Sequence, residues 1–282
     1  MEAKPAGGPP TQAAKAAAFR ALHAGPGAFV LPNPWDAASA RLLASLGFPA
    51  LATSSAASAV ALGRRDGELS REDALAHART IVGATDLPVS ADLENGFGDA
   101  PETVAETVRL AAACGLAGCS IEDARRANGR AIYDRTVAAE RVAAAAEAAH
   151  ALPFPFTLTA RAENFVRGHP DLDDTIARLQ AFERAGADVL FAPGLPDLAS
   201  VAHVCASVSK PVNFMVGIGG RSFPVADLSA AGVRRISLAT SLFRAAMHAL
   251  LAAGREIRDS GTFTFVDDLP ATSDLYDRLQ TR

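Results

Sequence analysis

Short apolar runs alternate along the chain with longer stretches of helical periodicity. The runs fall at 28–31, 50–53, 88–91, 118–121, 156–160, 189–191, 212–215 and 235–238. Each is too short for a helix and apolar enough for a strand covered on both faces. Between and after them lie Ala-, Leu- and Val-rich stretches with helical spacing, at 37–46, 71–82, 101–114, 137–150, 173–185, 197–208, 225–230 and 241–258. Strands alternating with helices predict parallel neighbours, because a parallel pair needs a long return crossover. Eight such units predict an α/β fold of the (β/α)8 TIM-barrel type, with an open doubly wound sheet as the runner-up.

Local punctuation agrees with this pattern. Asp99, Pro101 and Glu102 offer an N-cap, a first-turn proline and an early carboxylate for the stretch that follows. Gly115, Gly186 and Gly232 stand where helices should stop, each shortly before a predicted strand. The strings CGLAGCSIED, AGADVLFAP and AGVRRISLAT echo one another, as a repeated α/β unit would. Past Gly261, the segment 274–279 reads as one more short helix, able to pack on its own barrel or on a neighbour. The expected organisation is one catalytic barrel over 1–260, with a Gly/Pro-rich flexible leader at 6–10, and a helical tail over 261–282.

Composition narrows the function classes. The length of 282 residues suits one barrel, and 63 alanines fit closely packed outer helices. The net charge of −4, from 27 basic and 31 acidic residues, provides no strong positive field, so nucleic acid is not an expected partner. No uninterrupted apolar segment approaches the ~18 residues of a membrane span. The first residues lack a secretory pattern, so the expected location is the cytoplasm. Cys114, Cys119 and Cys205 show no CxxC spacing, which argues against a disulfide framework or a cysteine-rich zinc site. The six histidines give no HxH or HExxH pattern.

In a barrel the chemistry sits at the carboxyl ends of the strands. Polar residues at those ends are Asn33, Trp35 and Asp36, then Thr53, Ser54 and Ser55, then Asp92, Glu94 and Asn95, then Glu122 and Asp123, then Arg161, Glu163 and Asn164. Asp92, Glu94 and Glu122 form the most informative group. Three carboxylates on adjacent strand ends repel unless a cation lies among them, and a hard divalent ion prefers oxygen ligands. They are candidate ligands of Mg2+, with Mn2+ as the alternative; the plainer reading is acids that cap the following helices. Arg161 ends an apolar strand, where its fork could grip a carboxylate or phosphate, or pair internally with Glu122 or Glu163. Thr53, Ser54 and Ser55 offer hydroxyls and adjacent N–H groups, or simply a polar turn. Asp66, in LGRRDG, could reach over the mouth or stay solvated.

The strings LPNPWDAASARLLASLGFPALATSS, LGRRDGELS, VSADLENGFG, GCSIEDARR, TARAENF and AGADVLFAPGL resemble the isocitrate lyase/phosphoenolpyruvate mutase superfamily over roughly 29–250. The resemblance implies a Mg2+-dependent barrel that makes or breaks a C–C or P–C bond beside a carboxylate, acting on 2-oxo acids. It implies a homotetramer, often with a C-terminal helix swapped between subunits. Asp92 matches the principal metal ligand of the family's DxDxG motif, Glu94 stands in place of its second Asp, and Glu122 matches the acid of its IED motif. Arg161 matches the substrate-gripping arginine, and 53–55 match the carboxylate-holding segment. Asp66 matches a loop aspartate near the metal waters, or acting directly in the mutase and hydrolase branches. Trp35 and Asn213 are the remaining candidate substrate contacts.

Two departures restrict the subtype. True isocitrate and methylisocitrate lyases of the family carry a loop cysteine soon after IED, as acid or base. Here 123–133 holds none, and Asn128 with Arg125, Arg126 and Arg130 only partly echoes the gating loop of phosphonopyruvate enzymes. Pro193 stands where lyases place a glutamate. The expected protein is therefore a phosphoenolpyruvate mutase-like enzyme acting on a small carboxylate through an enolate, with catalytic roles for Asp66, Glu122 and Arg161. The alternatives are a non-catalytic 2-oxo acid binder and a phosphonopyruvate-type mutase or hydrolase.

Overall fold

The computed structural model of the chain describes residues 8–125 and 131–280. Asn128, Arg126 and Arg130 lie outside the described residues, as does part of the predicted leader.

All eight predicted strands are present. They are β1 (Phe29–Leu31), β2 (Leu51–Ala52), β3 (Val89–Asp92), β4 (Gly118–Glu122), β5 (Thr157–Arg161), β6 (Val189–Phe191), β7 (Val212–Met215) and β8 (Arg235–Ser237). They form one parallel sheet in the order β1-β8-β7-β6-β5-β4-β3-β2. The ends of that ladder, β1 and β2, are joined by Ala52 N–H donating to the Pro32 carbonyl at 3.0 Å. Asn33 completes the closure. Its Nδ2 donates to the Ala52 and Thr53 carbonyls and its Oδ1 accepts from Leu238 N–H. The fold is the expected (β/α)8 barrel, not the open sheet.

Helices cover the outside: α1 (Gln12–Ala24), α2 (Ala37–Ser45), α3 (Ser55–Ala61), α4 (Arg71–Ala84), α5 (Pro101–Ala113), α6 (Arg135–His150), α7 (Leu172–Arg184), α8 (Leu198–Ala206), α9 (Val225–Ala230) and α10 (Ser241–Ser260). Alanines at 0% exposure on α4, α5 and α6 (Ala78, Ala111, Ala145, Ala149) let the helices sit close on the sheet. The three expected helix stops hold: Gly115, Gly186 and Gly232 take φ of +89°, +101° and +97°, which a side chain would disfavour.

Two local features differ from the readings above. Asp99 does not cap α5. Ala100 holds the cap position without a side-chain bond, because the Asp99 carboxylate accepts instead from the Tyr133 hydroxyl. The segment after β2 is not only a polar turn: Ser55 opens α3, with Ser54 as its N-cap. Its Ala/Ser composition carries too little apolar periodicity to announce a helix. In the tail, α10 closes at Gly261 (φ +63°), and a short 3-10 turn leads to α11 (Thr272–Leu279). In the single chain α11 rests on α2, where Arg41 donates to the Leu279 carbonyl at 3.0 Å. Among the described residues no helix is long and apolar enough to cross a membrane.

Candidate active site

The carboxyl ends of the strands open into two adjoining cavities. The deeper one, of about 200 Å3, is lined by Thr53, Ser55, Asp66, Asp92, Arg161 and Asn213 among others. The outer one is lined by Ser55, Asp66, Glu94, Glu122, Glu163 and Arg167 with Arg161. Six separate strand ends and loops therefore contribute polar groups to one mouth.

Arg161 organises it. Its register partners place it directly between Glu122 of β4 and Phe191 of β6. Its Nε pairs with Glu163, while Nη1 lies 3.4 Å from Glu122 and 3.7 Å from Asp92. The ring of Phe191 lies under the guanidinium at 5.1 Å. Burial opposes the arginine's charge, but Glu163, Glu122 and Asp92 outweigh it and hold the guanidinium charged beyond its ordinary value. Of the two sequence alternatives for Arg161, the internal ion pairs are formed, and the same guanidinium lines both cavities.

Asp92 is held by the turn above it. Its Oδ2 accepts from Ser55 N–H at 3.2 Å and its Oδ1 from Glu94 N–H at 3.3 Å. Its own N–H donates to the Thr53 hydroxyl. The Ser55 amide, expected to face a substrate carboxylate, is thus engaged by Asp92. Glu94 has φ +49°, an uncommon conformation for a residue with a side chain, and its carbonyl accepts from Glu122 N–H at 2.8 Å. That turn ties the loop after β3 to the end of β4.

Glu122 is buried, and its carboxyl is pushed well above the usual range by that burial, by Glu163 and by Asp92, against the pull of Arg161 and Arg167. Asp66, itself an exposed residue, reaches the mouth from an exposed loop. Partial burial of its carboxyl, then the charge of Asp92, raise it, while a hydrogen bond from Ser55 and the two arginines oppose. Negative charge is in excess here: Asp66, Asp92, Glu94, Glu122 and Glu163 face Arg161 and Arg167.

Among the described residues no three His, Cys, Asp or Glu side chains are placed to hold a metal ion between them. The cation seen among Asp92 and Glu122 is the Arg161 guanidinium. The donor chemistry still fits a hard divalent ion: oxygen ligands, surplus negative charge and room for water. Mg2+ needs only one or two direct carboxylates when waters fill its remaining positions.

Asn213 is buried in the deeper cavity, donating to the Ser237 hydroxyl and accepting from Arg235 Nε. Trp35 is not brought to either cavity. Its ring lies edge-on to Phe243 at 5.4 Å, and its carbonyl pairs with His77 Nε2 at 2.9 Å. Sequence reasoning missed Arg167, which bonds Glu163 and Glu122. Its spacing of four residues from Glu163 on a turn was the available signal. It also missed Arg235, a charge inside an apolar run.

The family model for phosphoenolpyruvate phosphomutase matches residues 19–258. The chain belongs to that family. Its neighbours lie in the isocitrate lyase/phosphoenolpyruvate mutase superfamily. A solved structure from Burkholderia cenocepacia, of a protein assigned as a lyase/mutase, is 53% identical, with a TM-score of 0.93, covering 96% of this chain and 98% of that one. The oxaloacetate decarboxylase of Bradyrhizobium diazoefficiens is 33% identical over 69% of this chain and 68% of its own. The 2-methylisocitrate lyase of Escherichia coli is 30% identical over 74% of this chain and 72% of its own.

Proposed function

We propose that the protein is a Mg2+-dependent carbon–carbon lyase acting on a small 2-oxo acid, with a phosphorus–carbon bond as the second choice of target. The observation that carries this reading is the surplus of carboxylates around Arg161 at the barrel mouth. Asp92 and Glu94 would hold the metal, with Glu122 reaching it through water. When bound, Mg2+ would act as a Lewis acid at the carboxylate and keto oxygens, favouring an enolate. Arg161 fixes the substrate carboxylate from below, backed by Phe191 and its acidic partners. The Thr53–Ser55 hydroxyls line the same wall. Asp66, with its raised carboxyl and open position, takes or delivers the proton. The lack of a loop cysteine in 123–133 argues against the methylisocitrate lyase reaction and leaves decarboxylation or retro-aldol cleavage of a dicarboxylate.

The test is incubation with oxaloacetate, phosphonopyruvate and 2-methylisocitrate, each with Mg2+, followed by pyruvate detection. Release from at least one, abolished by Asp92→Ala and by chelator, is the expected result. Turnover retained in Asp92→Ala sinks the assignment. Thermal stabilisation by these acids without any turnover favours a binding protein that keeps the cradle.

Association of copies, four to an assembly as the resemblance implies, is a further part of the reading. Exposed Leu250, Leu251, Phe263 and Tyr276 on α10 and the tail support it. Sedimentation equilibrium on the full chain tests it.

A further inference from the structure

Below the mouth, the deeper cavity continues into the barrel. Ser90, Ser120, Ser237 and Arg235 line it along with the mouth residues. Arg235 lies on β8 opposite Asn213 of β7 and Phe29 of β1. It is 4% exposed. Its Nε donates to Asn213 Oδ1 at 2.9 Å and its Nη2 to the Thr159 hydroxyl at 3.0 Å. Its Nη1 lies 3.4 Å from His23 Nε2. The other nitrogen of His23 faces the Phe19 carbonyl, which can only accept, so Nδ1 carries the proton and Nε2 accepts from the arginine. Burial and the neighbouring guanidinium hold His23 neutral, down to about 3. All three partners of Arg235 are therefore neutral, and among the described residues no carboxylate pairs with it.

That is the opposite of Arg161, which has three carboxylates. An enclosed cation without a counter-ion is costly, since neutral dipoles replace only part of the hydration it loses. Burial lowers the Arg235 guanidinium to about 9, so it still keeps its charge at neutral pH. The protein retains a buried positive charge beside open space and three serine hydroxyls able to donate.

We infer that the floor of this cavity is an anion subsite of carboxylate size, with the Arg235 guanidinium as its cation. Two sources could supply the anion: the second carboxylate of a dicarboxylic acid held at the mouth, or a free small anion. The geometry suits the first. Thr159, which Arg235 touches, precedes Arg161 by two residues on β5, a strand rise of roughly 7 Å between those two residues, so Arg235 meets the strand one step below the mouth arginine. A four-carbon dicarboxylate could present one carboxylate to each. This source rests on the function proposed above; the subsite itself does not.

Calorimetric titration with malate, lactate and oxalate, in the presence of Mg2+, separates the possibilities, because malate differs from lactate only by the distal carboxylate. The wild-type protein should bind malate at least about ten-fold more tightly than lactate. Arg235→Met should lose that preference while keeping lactate and oxalate affinity, and Arg235→Lys should recover part of it. Crystals of the wild-type protein soaked in sodium bromide should show an anomalous peak at the Arg235 guanidinium. Bromide there, with malate no better than lactate, keeps the subsite and assigns it to a free anion. An Arg235→Met variant that fails to fold leaves the bromide map to decide. If none of the three acids binds the wild-type protein, the proposed function fails at the mouth, and bromide again judges the floor. No bromide at Arg235, or an unchanged malate preference in Arg235→Met, overturns the inference.

Discussion

Replacing Arg178 by Met should destabilise the protein in a pH-dependent way, because of what it leaves behind. Arg178, on α7, is 7% exposed and bonds Asp123 Oδ2 at 3.0 Å, Asp174 at 2.7 Å and the Tyr133 carbonyl at 2.7 Å. Asp123 is 3% exposed, and its Oδ1 accepts from Glu163 N–H at 2.8 Å. Burial outweighs the backbone bond and the arginine, and pushes the Asp123 carboxyl up from 3.8 to about 6. A folded value above the unfolded one means that the fold binds the proton more tightly. Stability from this group is therefore complete below about pH 4 and declines as pH rises through about 6, by roughly 3 kcal/mol in all. Without Arg178 the carboxylate loses its nearest cation, and its folded value climbs further. The gap between wild type and variant should be about 1–2 kcal/mol at pH 4, where Asp123 is neutral and mainly hydrogen bonds are lost. It should widen to about 3–5 kcal/mol at pH 8, where a buried charge stands unpaired. Urea unfolding of both proteins at pH 4, 6 and 8 measures it, and adding Asp123→Asn to the variant should close most of the pH 8 gap. A gap that stays constant from pH 4 to pH 8 refutes the reasoning.

Asp66→Asn should lower kcat by roughly 10²–10⁴-fold while oxalate binding survives. Because burial and Asp92 raise this carboxyl, the acid limb of the wild-type rate profile should lie above the usual aspartate value, and the variant should lack that limb. Arg161→Lys keeps the charge but loses the fork, so KM should rise and the melting temperature fall as Glu122 and Glu163 lose partners; calorimetry with oxalate and thermal melts read the two effects. Arg141→Met removes the donors that hold the Asn95, Gly98 and Asp99 carbonyls beneath the Glu94 turn. A loss of about 3 kcal/mol or more is expected in urea unfolding, with hydrogen exchange accelerated first in that turn.

The barrel was legible because its signals are local and repeated. Each strand is a short apolar run, and three of them follow a glycine that only a left-handed turn explains. What could not be read were choices between partners that sequence spacing leaves equal. Asp99 stood one residue before Ala100 and looked like a cap, yet the Tyr133 hydroxyl, distant in sequence, takes its carboxylate. Trp35 lay in a matching string, but its ring packs edge-on against Phe243 of α10 and does not line either cavity. The Ser/Ala segment after β2 folded into α3 because Ser54 caps it, a contact that composition does not rank above a turn.

The acid cluster shows where such reading stops and three-dimensional placement begins. Acids at consecutive strand ends required a cation, and that deduction needed only Coulomb repulsion. It did not say which cation. Arg161 answers part of the need from within the chain, two residues before Glu163 and in register with Glu122. Yet Asp66, Asp92, Glu94, Glu122 and Glu163 line the mouth against Arg161 and Arg167 alone, so the two arginines do not balance its negative charge. The floor carries the reverse imbalance, a guanidinium with neutral company. A ligand complementary to the whole cavity would bring a cation to the rim and an anion to the base, as a chelated dicarboxylate does. A monocarboxylate would answer the rim alone. On the function and floor subsite proposed above, these two imbalances, neither of them apparent from the net charge of −4, would make substrate length the property the barrel distinguishes.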